Sequence, residues 1–100
     1  MQICVTRFNN KTIKENYNWK LLNAHVGCIY GTPIKISEKI LPDTLIAVLE
    51  MNNTKNIIEG IGFIKNKLEK ENKKYYKIYT DNNYNRFIYK SNLRIDKSSF

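Results

Sequence analysis

The strongest pattern in the chain lies in residues 36–64, ISEKILPDTLIAVLEMNNTKNIIEGIGFI. Pro42-Asp43 marks a turn, an almost unbroken apolar run fills residues 45–49, and the polar residues 52–56 return the chain into a second run that carries Gly60 and Gly62. Two apolar runs joined by such a loop predict a β-hairpin. The first strand is apolar on both faces, which predicts a place at the centre of a barrel or beneath covering elements. The second alternates, with Ile57, Glu59, Ile61 and Phe63 on one side and Ile58, Gly60, Gly62 and Ile64 on the other. Two glycines on one face leave room for another backbone or a ligand to come close.

The remaining segments are weaker versions of the same signals. Residues 1–7 alternate and predict a short strand with Ile3 and Val5 inward, ended by Asn9-Asn10. Residues 12–24 change to helical spacing, with Ile13, Tyr17, Leu21 and Ala24 on one stripe. Trp19 falls off that stripe, where an indole is a lid on a second cluster or a platform for a ligand. Residues 26–32 predict a strand leading into Thr32-Pro33, and residues 37–40 a single helical turn. Residues 65–74 are charged and predict the exposed tip of a second hairpin. Alternation then resumes in residues 73–80, giving an edge strand around Tyr75 to Tyr79. Asp81-Asn82-Asn83 is a turn, and residues 84–90 and 93–95 predict the last two strands. The sum is an α+β domain: a small antiparallel barrel of about six strands with one or two short helices. Residues 1–100 support a single domain, whole or part of a longer protein.

Composition changes this picture in two places. The net charge is +8, and it is unevenly spread. Residues 1–20 carry +3 (Arg7, Lys11, Lys14 and Lys20 against Glu15), residues 65–77 carry +4, residues 84–97 carry +3, and residues 21–64 carry −1. If the basic ends lie side by side they form one positive face suited to a polyanion. The Asn, Lys and Ile bias is also what AT-rich coding produces, so the lysine total alone is a weaker signal than its placement. Cys4 and Cys28 lack metal-ligand spacing and predict buried free thiols, with no metal or cofactor. No membrane-spanning run or signal-peptide layout is present, so an intracellular, cytoplasmic location is expected.

Catalytic signals are thin. His25 is the single histidine, set between Ala24 and Val26, and reads as structural. Glu50 and Glu59 sit on adjacent strands of the hairpin and are the one candidate carboxylate pair. No nucleophile with a base and no phosphate-binding glycine loop can be read.

Leu41-Pro42-Asp43, the apolar residues 45–50 and Glu59-Gly60-Ile61-Gly62-Phe63 together resemble the PUA-like superfamily, which includes the EVE, YTH and ASCH domains. Asn18-Trp19-Lys20 and residues 27–31 fall where EVE-type domains place the edge of their pocket. The composition also resembles short proteins of large DNA viruses. The resemblance implies binding of RNA or single-stranded DNA, with a flipped or modified base held by aromatic side chains. On that reading Tyr17, Trp19 and Tyr30 form the pocket, Asn18 and Thr32 read a base edge, and Lys20, Arg7, Arg86 and Lys90 hold the backbone. Two other readings stand beside it. One is a protein-interaction or virion structural module, a homodimer or a partner's ligand, that adds the edge strand near Tyr75 to Tyr79 to another sheet. The other, a small hydrolase of the ASCH kind, requires Lys11 and Glu15 in one cleft.

Overall fold

The central hairpin forms where its pattern predicts, as β3 (Leu45–Asn52) and β4 (Ile57–Lys65), with Asn56 in the left-handed region closing the loop. The structure is a computed structural model that describes residues 1–69 and 76–100. Before the hairpin come β1 (Gln2–Phe8), α1 (Asn10–Leu22) and β2 (Cys28–Thr32). After it come a 3₁₀ turn at Asn82–Asn85, β5 (Phe87–Ser91), β6 (Leu93–Asp96) and a 3₁₀ turn at Lys97–Ser99. The four-stranded sheet has the order β1-β3-β4-β6, and β2 and β5 form a separate antiparallel ribbon. The class is therefore α+β with six strands in two sheets, and among the described residues the ladders do not close a barrel. The β1/β3 pair is parallel, against the all-antiparallel expectation, because α1 and β2 carry the chain across before β3 returns beside β1. Among the described residues no helix is long and apolar enough to cross a membrane.

The inner face of the sheet is built on the glycines. A β-carbon at Gly62 would collide with the Tyr30 hydroxyl and the Cys28 sulfur, and one at Gly60 with the Arg94 guanidinium. The groove expected from the sequence exists, and β2 and the Arg94 side chain of β6 occupy it. The ladder slips by one residue here: Glu50 pairs with Gly60 but Met51 pairs with Ile58, so Glu59 is extra. The slip breaks the expected alternation and brings the Glu59 carboxylate to the inner side, where it accepts a hydrogen bond from Asn52 Nδ2 at 2.9 Å.

The outer face is apolar from edge to edge. The registers align Ile3, Ala47, Phe63 and Leu93 in one row across the four strands, and Val5, Leu49, Ile61 and Ile95 in the next. Ile3 and Val5, expected inward, are 69% and 49% exposed, while Phe8 of the same strand is buried. β3 is apolar on both faces as read; on its outer face Leu45 is exposed, Leu49 and Met51 are half-buried and Ala47 is buried.

Helix α1 begins at a capping box, in which Asn9 Oδ1 accepts from the Thr12 N–H at 2.8 Å and the Asn9 N–H donates to Thr12 Oγ1 at 3.0 Å. Its buried side chains are Asn16 and Trp19, not the predicted stripe: Tyr17 and Leu21 are 59% and 63% exposed. Asn16 can point inward because its amide donates to the Ile29 carbonyl at 2.7 Å and to the Tyr79 hydroxyl at 3.0 Å. Trp19 follows it into the core, 5.6 Å from the Tyr76 ring and 6.0 Å from His25.

The predicted edge strand does not form in its described part, residues 76–80, where Tyr76, Ile78 and Tyr79 are buried. The Asn85 side chain takes the place of a neighbouring strand. Its Oδ1 accepts from the Ile78 and Tyr79 N–H groups and its Nδ2 donates to the Tyr79 carbonyl. Tyr75 and residues 70–74 of the predicted charged tip lie outside the described residues.

The close fit at Gly62 has a testable consequence. Gly62→Ala drives a methyl group into a Tyr30 ring that cannot swing away, since its hydroxyl is bonded to Glu50. The substitution is expected to destabilise the fold by about 1–3 kcal/mol, measured as a lowered midpoint in thermal or urea denaturation.

Candidate functional site

Beneath α1, on the inner face, the charged side chains of β3, β4 and β6 converge. Glu50 is 3% exposed and accepts from Tyr30 Oη at 2.5 Å and from Arg94 through Nη2 at 2.7 Å and Nε at 3.0 Å. Burial, and then the charge of Glu50, push the Tyr30 phenol far above its ordinary range, so it stays a protonated donor. The hydrogen bonds that Arg94 donates to Glu50 raise its pKa further above an already high value. Arg94 also bonds Asp96 Oδ1 at 2.9 Å, and Lys97 Nζ bonds Glu59 Oε1 at 2.6 Å. Burial opposes ionisation of Glu59, but the hydrogen bonds from Asn52 and Lys97 outweigh it and hold its carboxyl below the ordinary 4.5. The Ser98 backbone N–H, followed by Arg94, brings Asp96 down to about 2.

The candidate carboxylate pair, Glu50 and Glu59, thus shares one recess of about 320 Å³, but each carboxylate is already held by its own cation. General acid or base work needs a proton position open to substrate, and here hydrogen-bond donors of the protein occupy it. Lys20, at the same recess, donates to the Gly27 carbonyl at 3.2 Å; burial, and then Arg94, hold its pKa below the ordinary value.

A larger cleft lies between the β2–β3 connection, the end of β4 and the β5–β6 turn. Its volume is about 1420 Å³. Lys35, Lys65, Lys67 and Lys90 line it, with Glu38 and Glu69, over apolar walls that include Ile36, Ile40, Phe63, Leu68 and Leu93. At its border Lys35 Nζ and the Arg86 guanidinium both stand over the Phe87 ring, at 5.7 and 5.5 Å from its centre. Lys90 Nζ stands 5.3 Å over the Tyr76 ring.

The residues singled out from the sequence are distributed over the core and three surfaces. Trp19 and Tyr30 are buried, so they fill the core where an open aromatic pocket was expected. Tyr17 and Lys20 line the small recess under α1, and Asn18 is exposed beside them. Arg7 and Thr32 line a third recess, of about 660 Å³, with the half-exposed Tyr84. Lys11 and Glu15 line that recess together, and the Glu15 carboxylate accepts from the backbone N–H and the hydroxyl of Thr80. Lys90 lines the large cleft, with Arg86 at its border. Sequence reasoning missed Lys35, Lys65 and Lys67 as one group. The excess charge of residues 65–77 pointed to two of them, while nothing local to Lys35 signals its place opposite. Both cysteines are free, and burial raises the Cys28 thiol, as expected of an inert packed group. His25 Nε2 donates to the Cys28 carbonyl at 3.0 Å, a structural role.

Removing Glu50 would leave the Arg94 guanidinium, 15% exposed, without its main partner. Glu50→Ala is expected to destabilise the fold by about 3–5 kcal/mol in urea denaturation, while Glu50→Leu combined with Arg94→Met recovers much of the loss. The depressed carboxyls set a pH dependence. A carboxyl held below its unfolded value stabilises the fold while ionised and loses that contribution as pH falls through its folded value. Stability should hold from neutral pH down to the ordinary Glu value of 4.5 and then decline toward about 2, the folded value of Asp96. Urea midpoints across that range check this. No family model, curated protein or solved structure matches the chain.

Proposed function

We propose that this chain is a binding module that takes single-stranded nucleic acid along the lysine-lined cleft. One observation carries the reading: Lys35, Lys65, Lys67 and Lys90 come from three separate parts of the chain and line one cleft of about 1420 Å³ with apolar walls. Cations along a groove hold phosphates, and apolar or aromatic surface between them receives unstacked bases. Phe63 inside the cleft and Phe87 at its border supply that surface, and Arg86 extends the basic strip. At about 1420 Å³ the cleft exceeds what a single small ligand fills, and lysine contacts of this kind recognise the backbone more than a particular base. The resemblance of the β3–β4 hairpin to PUA-like domains supports the same ligand class, with the hairpin as scaffold and the cleft beside it. The free thiols fit an intracellular setting for this binding.

Fluorescence anisotropy with labelled uridine-rich and thymidine-rich oligonucleotides tests it. About four phosphate contacts on a single strand give a slope of log affinity against log salt of about −3. Lys35→Glu with Lys67→Glu is expected to weaken binding at least about tenfold, whereas Arg7→Ala, in the separate recess, changes it less than about twofold. Absence of binding to either oligonucleotide at low salt would overturn the proposal.

A further inference from the structure

We infer that the outer face of the four-stranded sheet is the contact between two copies of this chain. The two rows that cross β1, β3, β4 and β6 contain eight side chains, all apolar. Basic residues of that face stand beyond the rows: Arg7 past Val5 at one end, and Lys65 past Phe63 at the other. A sheet face open to water ordinarily alternates with polar side chains, so this one has the composition of a covered face. Its size points the same way. Six side chains of the face, Ile3, Val5, Leu93 and Ile95 with Leu45 and Ile58 beside them, are 36–69% exposed, an apolar surface of the kind that a standard stable interface of about 800 Å² per partner buries. A contiguous group of exposed apolar side chains marks an interaction surface.

The relief and the charge of the face select the occupant. The edge strands stand tall, with Ile3 69% and Leu93 62% exposed, while Ala47 in the middle of the same row is 7% exposed. The face is a shallow trough between two raised edges. A second copy turned about a two-fold axis sets a raised edge into each trough, as in face-to-face sheet packing. An acidic protein partner would need basic groups inside the contact, and the rows have none. The chain's charge of +8 is carried outside the rows, so two copies can meet on a neutral surface with their charges held at the rim.

Sedimentation velocity and light scattering on the purified chain over rising concentration test the inference. The expected species has twice the chain mass of 11.8 kDa at concentrations of about 100 µM and dissociates on dilution. Ile3→Lys with Leu93→Lys puts like charges into the contact at positions already exposed in one copy. The variant should keep its circular dichroism spectrum and lose association by at least about tenfold. A wild-type chain that stays monomeric through that range overturns the inference, as does a lysine variant that still dimerises. Binding of the wild-type monomer to neutral phospholipid vesicles would assign the face to a lipid surface and overturn it as well. Phe63 and Leu93 also border the lysine-lined cleft, so the association is measured without nucleic acid, and its failure leaves oligonucleotide binding by the monomer untouched.

Discussion

The buried contact of Glu50 with Arg94 and Tyr30 ties together the parts of the molecule that local sequence does not hold. Glu50 lies on β3, Arg94 on β6 and Tyr30 on β2, so one carboxylate joins both sheets. A charge taken out of water is tolerable only when its lone pairs are met, and here a guanidinium and a phenol meet them. Gly60 and Gly62 are what let those two groups approach, since any side chain at either position would occupy the same space. The apolar core closes around this contact: Ile46, Val48 and Ile64 from the hairpin pack with Tyr30, Ile88 and Tyr89 from the ribbon.

A network that satisfies itself is a poor place for chemistry. The clustering of Glu50, Glu59, Arg94, Asp96 and Lys97 looks like an active site until the hydrogen bonds are counted off group by group. Their pKa shifts follow: the phenol and guanidinium move up and the Glu59 and Asp96 carboxyls move down, each toward the form that its partner needs. The features left over for function are surfaces: the lysine-lined cleft and the apolar outer face of the sheet. The first sets four lysines over apolar walls, and the second presents apolar side chains to solvent.

Much of the hairpin was legible because period-two alternation and a polar loop are local signals. The helix was legible in existence, through the change to helical spacing at residue 12, but not in its Asn9 cap or in the face it buries. Hydrophobic periodicity chose Tyr17 and Leu21, and the fold chose Asn16 and Trp19, because two acceptors distant in sequence, on Ile29 and Tyr79, make an inward asparagine inexpensive. The segment after Tyr76 alternates like a strand, yet Asn85 satisfies its backbone through a side chain, and no pattern within residues 76–80 announces that. Trp19 and Tyr30 were attractive as a base pocket for the reason that makes them good core residues: large aromatic rings with one polar handle.

What the sequence determined by itself is the class of most local elements and the composition of their faces: an apolar hairpin, two glycines on one side, a segment of helical spacing, basic segments toward both ends. Those properties depend on neighbours a few residues away. Only the tertiary structure decided which charge meets which, that Glu50 and Glu59 are consumed by Arg94 and Lys97, that Lys35 faces Lys65 and Lys67 across a cleft, and that the second apolar face of β3 is left open. Each of these depends on contacts between residues far apart in the chain, and their energies are set by burial and distance, which sequence spacing does not encode.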